Sequence, residues 1–208
     1  MIQHFTRADA VEEIRLFDTM HRDRKRVFVD TLKWDIAHDG IREADQYDTD
    51  AADYLILRDP LSGEHLGSVR ILPTTGPHML ADVFDFLCDG KVPRGPNIRE
   101  ITRLVVSPDL PPRDKLMVRN MLGRAMIEFG WMMGVTVYTA VCDFGFLAQL
   151  LSSGWHIRPL GIPQYVEGSL IGALQIRLDR RSLGRTSPAW QHDGPALRIA
   201  QCANELVA

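Results

Sequence analysis

The amino-acid sequence predicts an α/β fold, in which helices pack on the faces of a mixed β-sheet. Two observations lead to this prediction. Apolar residues recur at helical spacing over residues 9–28 and 113–134, and short apolar runs bounded by turn residues read as strands. The chain has 208 residues, which is enough for one domain with a sizeable core.

The first half of the chain combines one amphipathic helix, an acidic loop and a hairpin. Asp9 is the expected N-cap of the helix, with Glu12 at its third helical position. The turn sequence Pro60-Leu61-Ser62-Gly63 separates two apolar runs, as in a β-hairpin. The expected elements are a helix over 9–28, a polar loop over 33–52, strands over 54–59 and 64–72, and a short helix over 80–88.

The second half alternates strands with helices. Along the strand over 99–107, simple alternation puts Glu100, Thr102 and Leu104 on one face, and Ile101, Arg103 and Val105 on the other. We expect a single domain over residues 1–180 and a C-terminal tail over 181–208. The expected elements are strands over 99–107, 135–141, 155–161 and 169–179, helices over 113–134 and 146–154, and a possible short helix over 195–207.

Composition excludes several classes of function. The net charge of −3 argues against a general nucleic-acid binder. The N-terminus carries no basic-then-apolar signal, and no apolar run approaches the ~20 residues of a membrane-spanning helix. We therefore expect a cytoplasmic protein. Cys88, Cys142 and Cys202 are odd in number and widely spaced, so neither a disulfide framework nor a metal site is expected.

Charged residues that interrupt apolar patterns are the strongest local signal. Arg24, Arg70, Glu100 and Arg103 all do so, and each charge costs several kcal/mol to bury unless it is paired. The acidic loop Glu43-Ala44-Asp45-Gln46-Tyr47-Asp48 supplies possible partners. Independent structural ion pairs and a solvated acidic loop are the alternatives. Taken together, the residues favour a polar cleft for a ligand that is both cationic and anionic.

The spacing of these residues resembles that of a known family. The ordered set is Arg24-x-x-Val27-Phe28 with Trp34, then Glu43-x-Asp45-x-x-Asp48, Gly67-Ser68-x-Arg70-x-x-Pro73-Thr74, Met79-Leu80-x-Asp82-Val83-Phe84 and Glu100-x-Thr102-Arg103. It resembles the acyl-homoserine-lactone synthases, the autoinducer synthases of bacterial quorum sensing. The resemblance implies a three-layer α-β-α sandwich similar to the N-acetyltransferases, with a mixed sheet and a V-shaped cleft.

The resemblance also implies a reaction without a prosthetic group. The amine of S-adenosylmethionine attacks an acyl thioester carried on acyl carrier protein or coenzyme A. The methionyl carboxylate then attacks its own γ-carbon, which closes the lactone and expels methylthioadenosine. The alternatives are a related acyl-CoA-dependent N-acyltransferase and an inactive S-adenosylmethionine-binding regulatory domain.

Residue roles follow from the same resemblance. Glu100 is the expected general base, and backbone donors along residues 101–106 are expected to hold the oxyanion. Thr139 falls at the position where a hydroxyl favours 3-oxo acyl chains, and Thr102 is a second candidate. The expected catalytic residues are Glu100, Arg24, Asp45, Asp48, Arg70 and Arg103, and the expected substrate-binding residues are Phe28, Trp34, Phe84, Thr102, Val105 and Thr139; no metal is expected.

The acyl carrier is left open by the sequence. The predicted helix over 146–153 carries no lysine or arginine that would meet an acidic carrier protein. Either the carrier protein docks on other bases, or the donor is an acyl-coenzyme A. The segment 120–125 is a degenerate form of the pyrophosphate loop of acetyltransferases, which suits both donors. The candidate docking bases are Arg113, Lys115, Arg119 and Arg124.

Overall fold

The fold is that of a computed structural model. The structure describes residues 1–151, 155–179, 182 and 194–199. Short 3₁₀ turns lie at Ala8–Val11 and Asp85–Leu87, and a π-helix at Lys25–Thr31 continues directly from α1. The α-helices are α1 (Ile14–Arg24), α2 (Met79–Asp82), α3 (Pro112–Met132) and α4 (Phe144–Leu151). The strands are β1 (Ile2–Thr6), β2 (Asp53–Arg58), β3 (His65–Pro73), β4 (Ile98–Val106), β5 (Val137–Asp143), β6 (His156–Pro159), β7 (Gln164–Val166), β8 (Ser169–Arg177) and β9 (Leu197–Ile199).

The nine strands form one mixed sheet in the order β6-β8-β5-β4-β3-β2-β1-β9, with β7 paired to β8. Two pairs, β4 with β5 and β1 with β9, are parallel, and the others are antiparallel. The parallel β4–β5 pair needs a crossover connection, which α3 provides. The expected mixed sheet with flanking helices is therefore present.

Helices cover both faces, which gives the three-layer α-β-α arrangement. Leu55 and Leu57 of β2 belong to the hydrophobic cluster beneath α3 and α4. Their neighbours Tyr54 and Ile56 point the other way and pack with Phe17 of α1. A third apolar cluster lies on the same face as α1, where Leu80 of α2 packs on β5 and β8.

The parallel strands β4 and β5 form the V-shaped cleft. Their pairing extends only from Ile98–Val137 to Ile101–Ala140, although both strands continue beyond it. Beyond Ile101, β4 remains paired on its other side with β3. The edge of β4 that faces β5 is therefore not paired with β5 over residues 102–106.

A β-bulge in β4 changes the side-chain directions that simple alternation predicts. Ser68 pairs with Val105 and Arg70 with Thr102, so β4 has one residue more than β3 between these pairs. Arg103 takes the extra position with φ of 51°, in the left-handed region. The predicted alternation is wrong beyond this point, because Leu104 packs in the same hydrophobic cluster as Ile101.

A buried chain of hydrogen bonds ties α1 to β3 beside the bulge. His65 Nδ1 lies 2.8 Å from Asp23 Oδ2, and His65 Nε2 lies 3.0 Å from Ser68 Oγ. An ionised Asp23 accepts the Nδ1 proton, so the Ser68 hydroxyl donates to Nε2 of the neutral ring. This chain fixes the last turn of α1, from which Arg24 projects.

Several predicted boundaries are wrong for physical reasons. Asp9 is not the N-cap of α1, because its carboxylate accepts bonds from the backbone N–H and hydroxyl of Thr6 at 2.6 and 2.8 Å, and α1 begins only at Ile14. The expected short helix over 80–88 is a single α-helical turn followed by a 3₁₀ turn.

The C-terminal prediction is also corrected. The expected helix over 195–207 is wrong for Leu197–Ile199, which pair with β1 while Glu128 of α3 accepts the backbone N–H groups of Ala196 and Leu197. Residues 200–207 and Gly154 lie outside the described residues. The domain boundary at residue 180 stays a prediction. Within the described part of the chain, no helix is long and apolar enough to cross a membrane.

Candidate active site

A cluster of buried charges lies between α1, the acidic loop and strands β3 and β4. The arginines come from three separate elements, and the acids all come from the loop that precedes β2. Each of the six side chains is at most 14% exposed, and the formal charges balance. We call this set the charge cluster; its members are Arg24, Arg70, Arg103, Glu43, Asp45 and Asp48.

Asp48 is the most highly coordinated acid in the charge cluster. Arg24 binds it bidentately at 2.8 and 3.0 Å, and Arg70 Nη1 lies 2.9 Å from Oδ1. The hydroxyl of Tyr54 and the backbone N–H of Asp45 each donate to it at 2.8 Å. Burial alone raises the pKa of Asp48, but the charge and hydrogen bonds of Arg24 outweigh burial and hold it far below its ordinary value. Asp48 is therefore ionised, and it holds Arg24, Arg70 and Tyr54 together.

Glu43 joins two of the arginines and is fully buried. Arg24 Nε donates to Oε2 at 2.5 Å, while Arg103 Nε and Nη2 lie 3.1 and 3.0 Å from Oε1. The guanidinium of Arg24 is thus bound by Glu43 and Asp48 together, with 1% of its side chain exposed. Arg24 positions its neighbours and has little surface to offer to a ligand.

Asp45 is the most exposed acid of the charge cluster, at 14%. Arg70 binds its two oxygens at 2.6 and 2.9 Å, and Arg103 Nη2 lies 2.7 Å from Oδ2. Burial raises the pKa of Asp45, but the hydrogen bonds and charge of Arg70, with the charge of Arg103, outweigh burial and lower it. Asp45 is therefore ionised at neutral pH and partly open to a cationic ligand.

Two aromatic rings form a wall beside Arg103. Phe28, on the π-helix, stacks on Trp34 with centroids 5.0 Å apart and planes inclined by 11°. The Arg103 guanidinium carbon lies 5.6 Å from the Phe28 centroid. Trp34 is half-buried, and its backbone N–H donates to the carbonyl of Phe28. Rings in this arrangement present π-faces to a cation.

Glu100 lies outside the charge cluster, beneath α2. Its Oε1 accepts the backbone N–H of Leu80 at 2.7 Å, whereas its Oε2 is buried and has no partner among the described residues. Burial raises the pKa of Glu100 to about 7, against the backbone N–H donors of Leu80 and Met79. A carboxyl with such a pKa can take up and release a proton at neutral pH.

The remaining expected binding residues divide between the cluster and the cleft. The Thr102 hydroxyl accepts Arg70 Nε at 2.9 Å, so it supports the charge cluster. Val105 is buried opposite Ser68 on the splayed part of β4. Thr139 is fully buried and pairs with Glu100 across the parallel strands, and Phe84 packs in the apolar cluster around Leu80.

Sequence reasoning left three residues of this site without a role. Glu43 belonged to the Glu43-x-Asp45-x-x-Asp48 motif, but it was given no role of its own, because its local sequence does not indicate that it is buried. Two of them could have been found from the sequence. Tyr54 begins the predicted strand over 54–59, and Met79 begins the motif that continues with Leu80. The Met79 sulfur accepts contacts at 3.6 Å from Arg70 Nη2 and Arg103 Nη1.

The fold and the site define a class of protein. The fold is similar to that of a putative N-acetyltransferase from Lactobacillus plantarum, with a TM-score of 0.57 at 16% identity over 86% of this chain and 99% of that chain. At that identity the likeness is one of fold alone.

The chain belongs to the autoinducer synthase family, whose model matches residues 9–185. An acyl-homoserine-lactone synthase of Agrobacterium fabrum is 31% identical over 198 residues, 92% of this chain and 93% of that protein. An isovaleryl-homoserine lactone synthase of Bradyrhizobium diazoefficiens is 31% identical over 194 residues, 88% and 85% of the two chains. A CoA-dependent acyl-homoserine lactone synthase, solved with SAM and isopentyl-CoA, has a TM-score of 0.85 at 25% identity. The match covers 96% of this chain and 93% of that chain. The expected family, fold and enzyme class, an acyltransferase, are thereby confirmed.

Proposed function

We propose that this protein makes an acyl-homoserine lactone from S-adenosylmethionine and an acyl thioester, and that it works in the cytoplasm, where both substrates are made. The observation that carries the proposal is the charge cluster: guanidinium and carboxylate groups meet beside the splayed strands, next to an aromatic wall. S-adenosylmethionine carries an ammonium, a sulfonium and a carboxylate, so it needs partners of both signs and a π-face.

The charge cluster divides into residues that touch the substrate and residues that position others. Asp45 receives the cationic end, because it is the most exposed acid. Arg103 receives the carboxylate, because its Nη1 contacts only the thioether of Met79 among the described residues. Trp34, the more exposed ring of the wall, faces the sulfonium, and Phe28 supports it, because the Phe28 ring already contacts Trp34 and Arg103. The other members that we assign a role position these groups: they are Arg24, Asp48 and Arg70. The guanidinium of Arg24 is fully occupied by its ion pairs, and the side chains of Asp48 and Arg70 are almost fully buried.

The acyl transfer needs a base because the substrate amine is mostly ammonium at neutral pH. A water passes one ammonium proton to Glu100 Oε2, the atom that has no hydrogen-bond partner among the described residues. The free amine attacks the thioester carbonyl, and backbone N–H groups on the unpaired edge of β4 stabilise the oxyanion. The C–S bond then breaks, the departing thiolate takes the second amine proton, and one proton is released in total. Attack of the methionyl carboxylate on its γ-carbon closes the lactone and breaks the sulfonium bond.

The acyl donor that fits best is an acyl-coenzyme A. Two of the candidate bases for carrier-protein docking are already engaged: Lys115 donates to the carbonyl of Pro108, and Arg124 binds Glu128 and the carbonyl of Gly194. Arg113 and Arg119 remain exposed on α3. Acyl carrier protein is the alternative donor.

The test is a reconstitution with the purified full-length chain. Thiol release, methylthioadenosine and lactone are followed with S-adenosylmethionine and a series of acyl-CoA thioesters, and in parallel with the same acyl groups on acyl carrier protein. We expect the three products in equal amounts, and no thiol release without S-adenosylmethionine. Thiol release with other amines alone would indicate a general N-acyltransferase. Binding of S-adenosylmethionine without methylthioadenosine would indicate an inactive regulatory domain.

A further inference from the structure

A row of three polar side chains crosses the sheet on the face that carries α2. Glu100 on β4 pairs with Thr139 on β5, and Thr139 pairs with Gln175 on β8. Side chains of directly paired residues lie on the same face, with neighbouring strands about 4.8 Å apart. The row therefore leads from the proposed base towards β8 in steps of one strand. We call Glu100, Thr139 and Gln175 the polar row.

Apolar residues lie along one side of the polar row, whereas Arg158 of β6, which pairs with Gln175, is exposed at its far end. Val141 and Ala173 are the next residues on this face after Thr139 and Gln175, and both pack in the cluster around Leu80. Such a surface suits an alkyl chain. A polar side chain at its border is unusual unless it has a partner, because an amide taken from water without a hydrogen bond is unfavourable.

Gln175 has no such partner within the part of the chain that the structure describes. Its side chain is half-buried, and none of the hydrogen bonds among the described residues involves its amide. Thr139 is only weakly engaged, since its hydroxyl lies 3.5 Å from the carbonyl of Arg99. Thr102, by contrast, is held by Arg70 at 2.9 Å and is not free to contact an acyl chain.

We infer that Gln175 is a specificity-determining residue, whose amide hydrogen-bonds an oxygen substituent on the acyl chain together with Thr139. The preferred donor class is then a 3-oxo acyl thioester, whose oxygen accepts the N–H of Gln175. An acyl group bound to an amine near Glu100 extends along the polar row, passing Thr139 before Gln175. This inference rests on the proposed acyl transfer.

The experiment measures a ratio rather than a rate. Lactone formation by the full-length enzyme is compared for 3-oxo and unsubstituted acyl-CoA donors of equal length, from six to twelve carbons. Gln175→Met removes the amide at similar length, and Gln175→Glu replaces the N–H donors by a carboxyl group. Both should lower the kcat/KM ratio of 3-oxo to plain donors roughly fivefold, the contribution of an ordinary hydrogen bond. The plain donor should be used as well as before.

Arg177→Leu is the matched control, since Arg177 is an exposed residue on the same strand and face. Its ratio should equal that of the wild type. An unchanged ratio in both Gln175 variants, with normal use of plain donors, would overturn the inference and leave lactone synthesis intact. A wild-type preference for plain donors would also overturn it. A wild type that makes no lactone from any donor on either carrier refutes the proposed function itself.

Discussion

Replacing Glu100 with glutamine removes the proposed base while keeping its shape. The amide oxygen of glutamine can still accept the N–H of Leu80, which the carboxylate accepts at 2.7 Å. The substitution therefore tests the proton chemistry with little change in packing. General-base catalysis by a positioned side chain contributes about 10²–10⁴-fold, so kcat should fall by that factor. The KM for S-adenosylmethionine should change little, because Glu100 lies outside the charge cluster.

The wild type should also show a pH dependence that the Glu100→Gln variant lacks. Burial raises the pKa of Glu100 to about 7, so the fraction of enzyme with an ionised base increases as the pH rises through 7. The wild-type rate should rise with it. The variant should be slow at every pH, without this inflection, as a stopped assay of lactone between pH 5.5 and 8.5 would record.

The same carboxyl makes a prediction about stability. Because its pKa rises from 4.5 to about 7 on folding, the folded state holds more protons than the unfolded state between these values. Stability therefore falls as the pH rises through this range and is constant above it. At about 1.4 kcal/mol per pKa unit the total is about 3.5 kcal/mol, an upper limit for a fully buried group.

Urea unfolding at pH 5 and pH 8 measures that difference. Glutamine does not titrate, so Glu100→Gln should gain up to ~3.5 kcal/mol relative to the wild type at pH 8, and much less at pH 5. A variant that keeps most of its turnover at pH 7.5 would refute the role as base. If the difference in unfolding free energy between wild type and variant is the same at both pH values, the raised pKa of Glu100 is refuted.

Three further substitutions, one of them with a matched control, test other parts of the structure. Asp45→Asn removes the exposed acid of the charge cluster, so the KM for S-adenosylmethionine should rise about tenfold or more while the KM for the acyl donor stays constant in steady-state assays. Gly67→Ala places a Cβ 2.4 Å from Val118 Cγ1, which should cost about 1–3 kcal/mol in urea unfolding, whereas Gly76→Ala meets nothing within 4 Å and should cost little. Burial lowers the pKa of His65, so the unfolded state binds more protons below about pH 6.5 and stability falls there; His65→Gln should lack this acid-induced loss when melting is followed by circular dichroism.

Much of the charge cluster could be predicted because charge inside an apolar pattern is costly. Arg24, Arg70 and Arg103 stood out for that reason, and the structure brings them together. Glu43 could not be singled out, because a loop acid in a sequence carries no sign of its burial. Its burial depends on two arginines that are 19 and 60 residues away along the chain.

The geometry of β4 could not be read from the sequence either. Bulges often use glycine at the left-handed position, and here an arginine occupies it. Contacts made by the Arg103 side chain with Glu43 and Asp45 oppose the backbone strain, and these are tertiary. The same holds for β9: its strand pairing with β1 and the Glu128 contacts outweigh the local helical pattern.

The exact balance of charge in the cluster has a consequence for redesign. Every arginine of the charge cluster already has an acid partner before any substrate binds, and only Asp45 keeps an appreciable exposed surface. Suppose that one of these residues is altered to change the amine that the enzyme accepts. Its partner is then left as an unpaired charge in a low-dielectric interior. New selectivity is thus more readily reached by exchanging partners in pairs, for example Asp45 together with Arg70, than by any sequence of single steps.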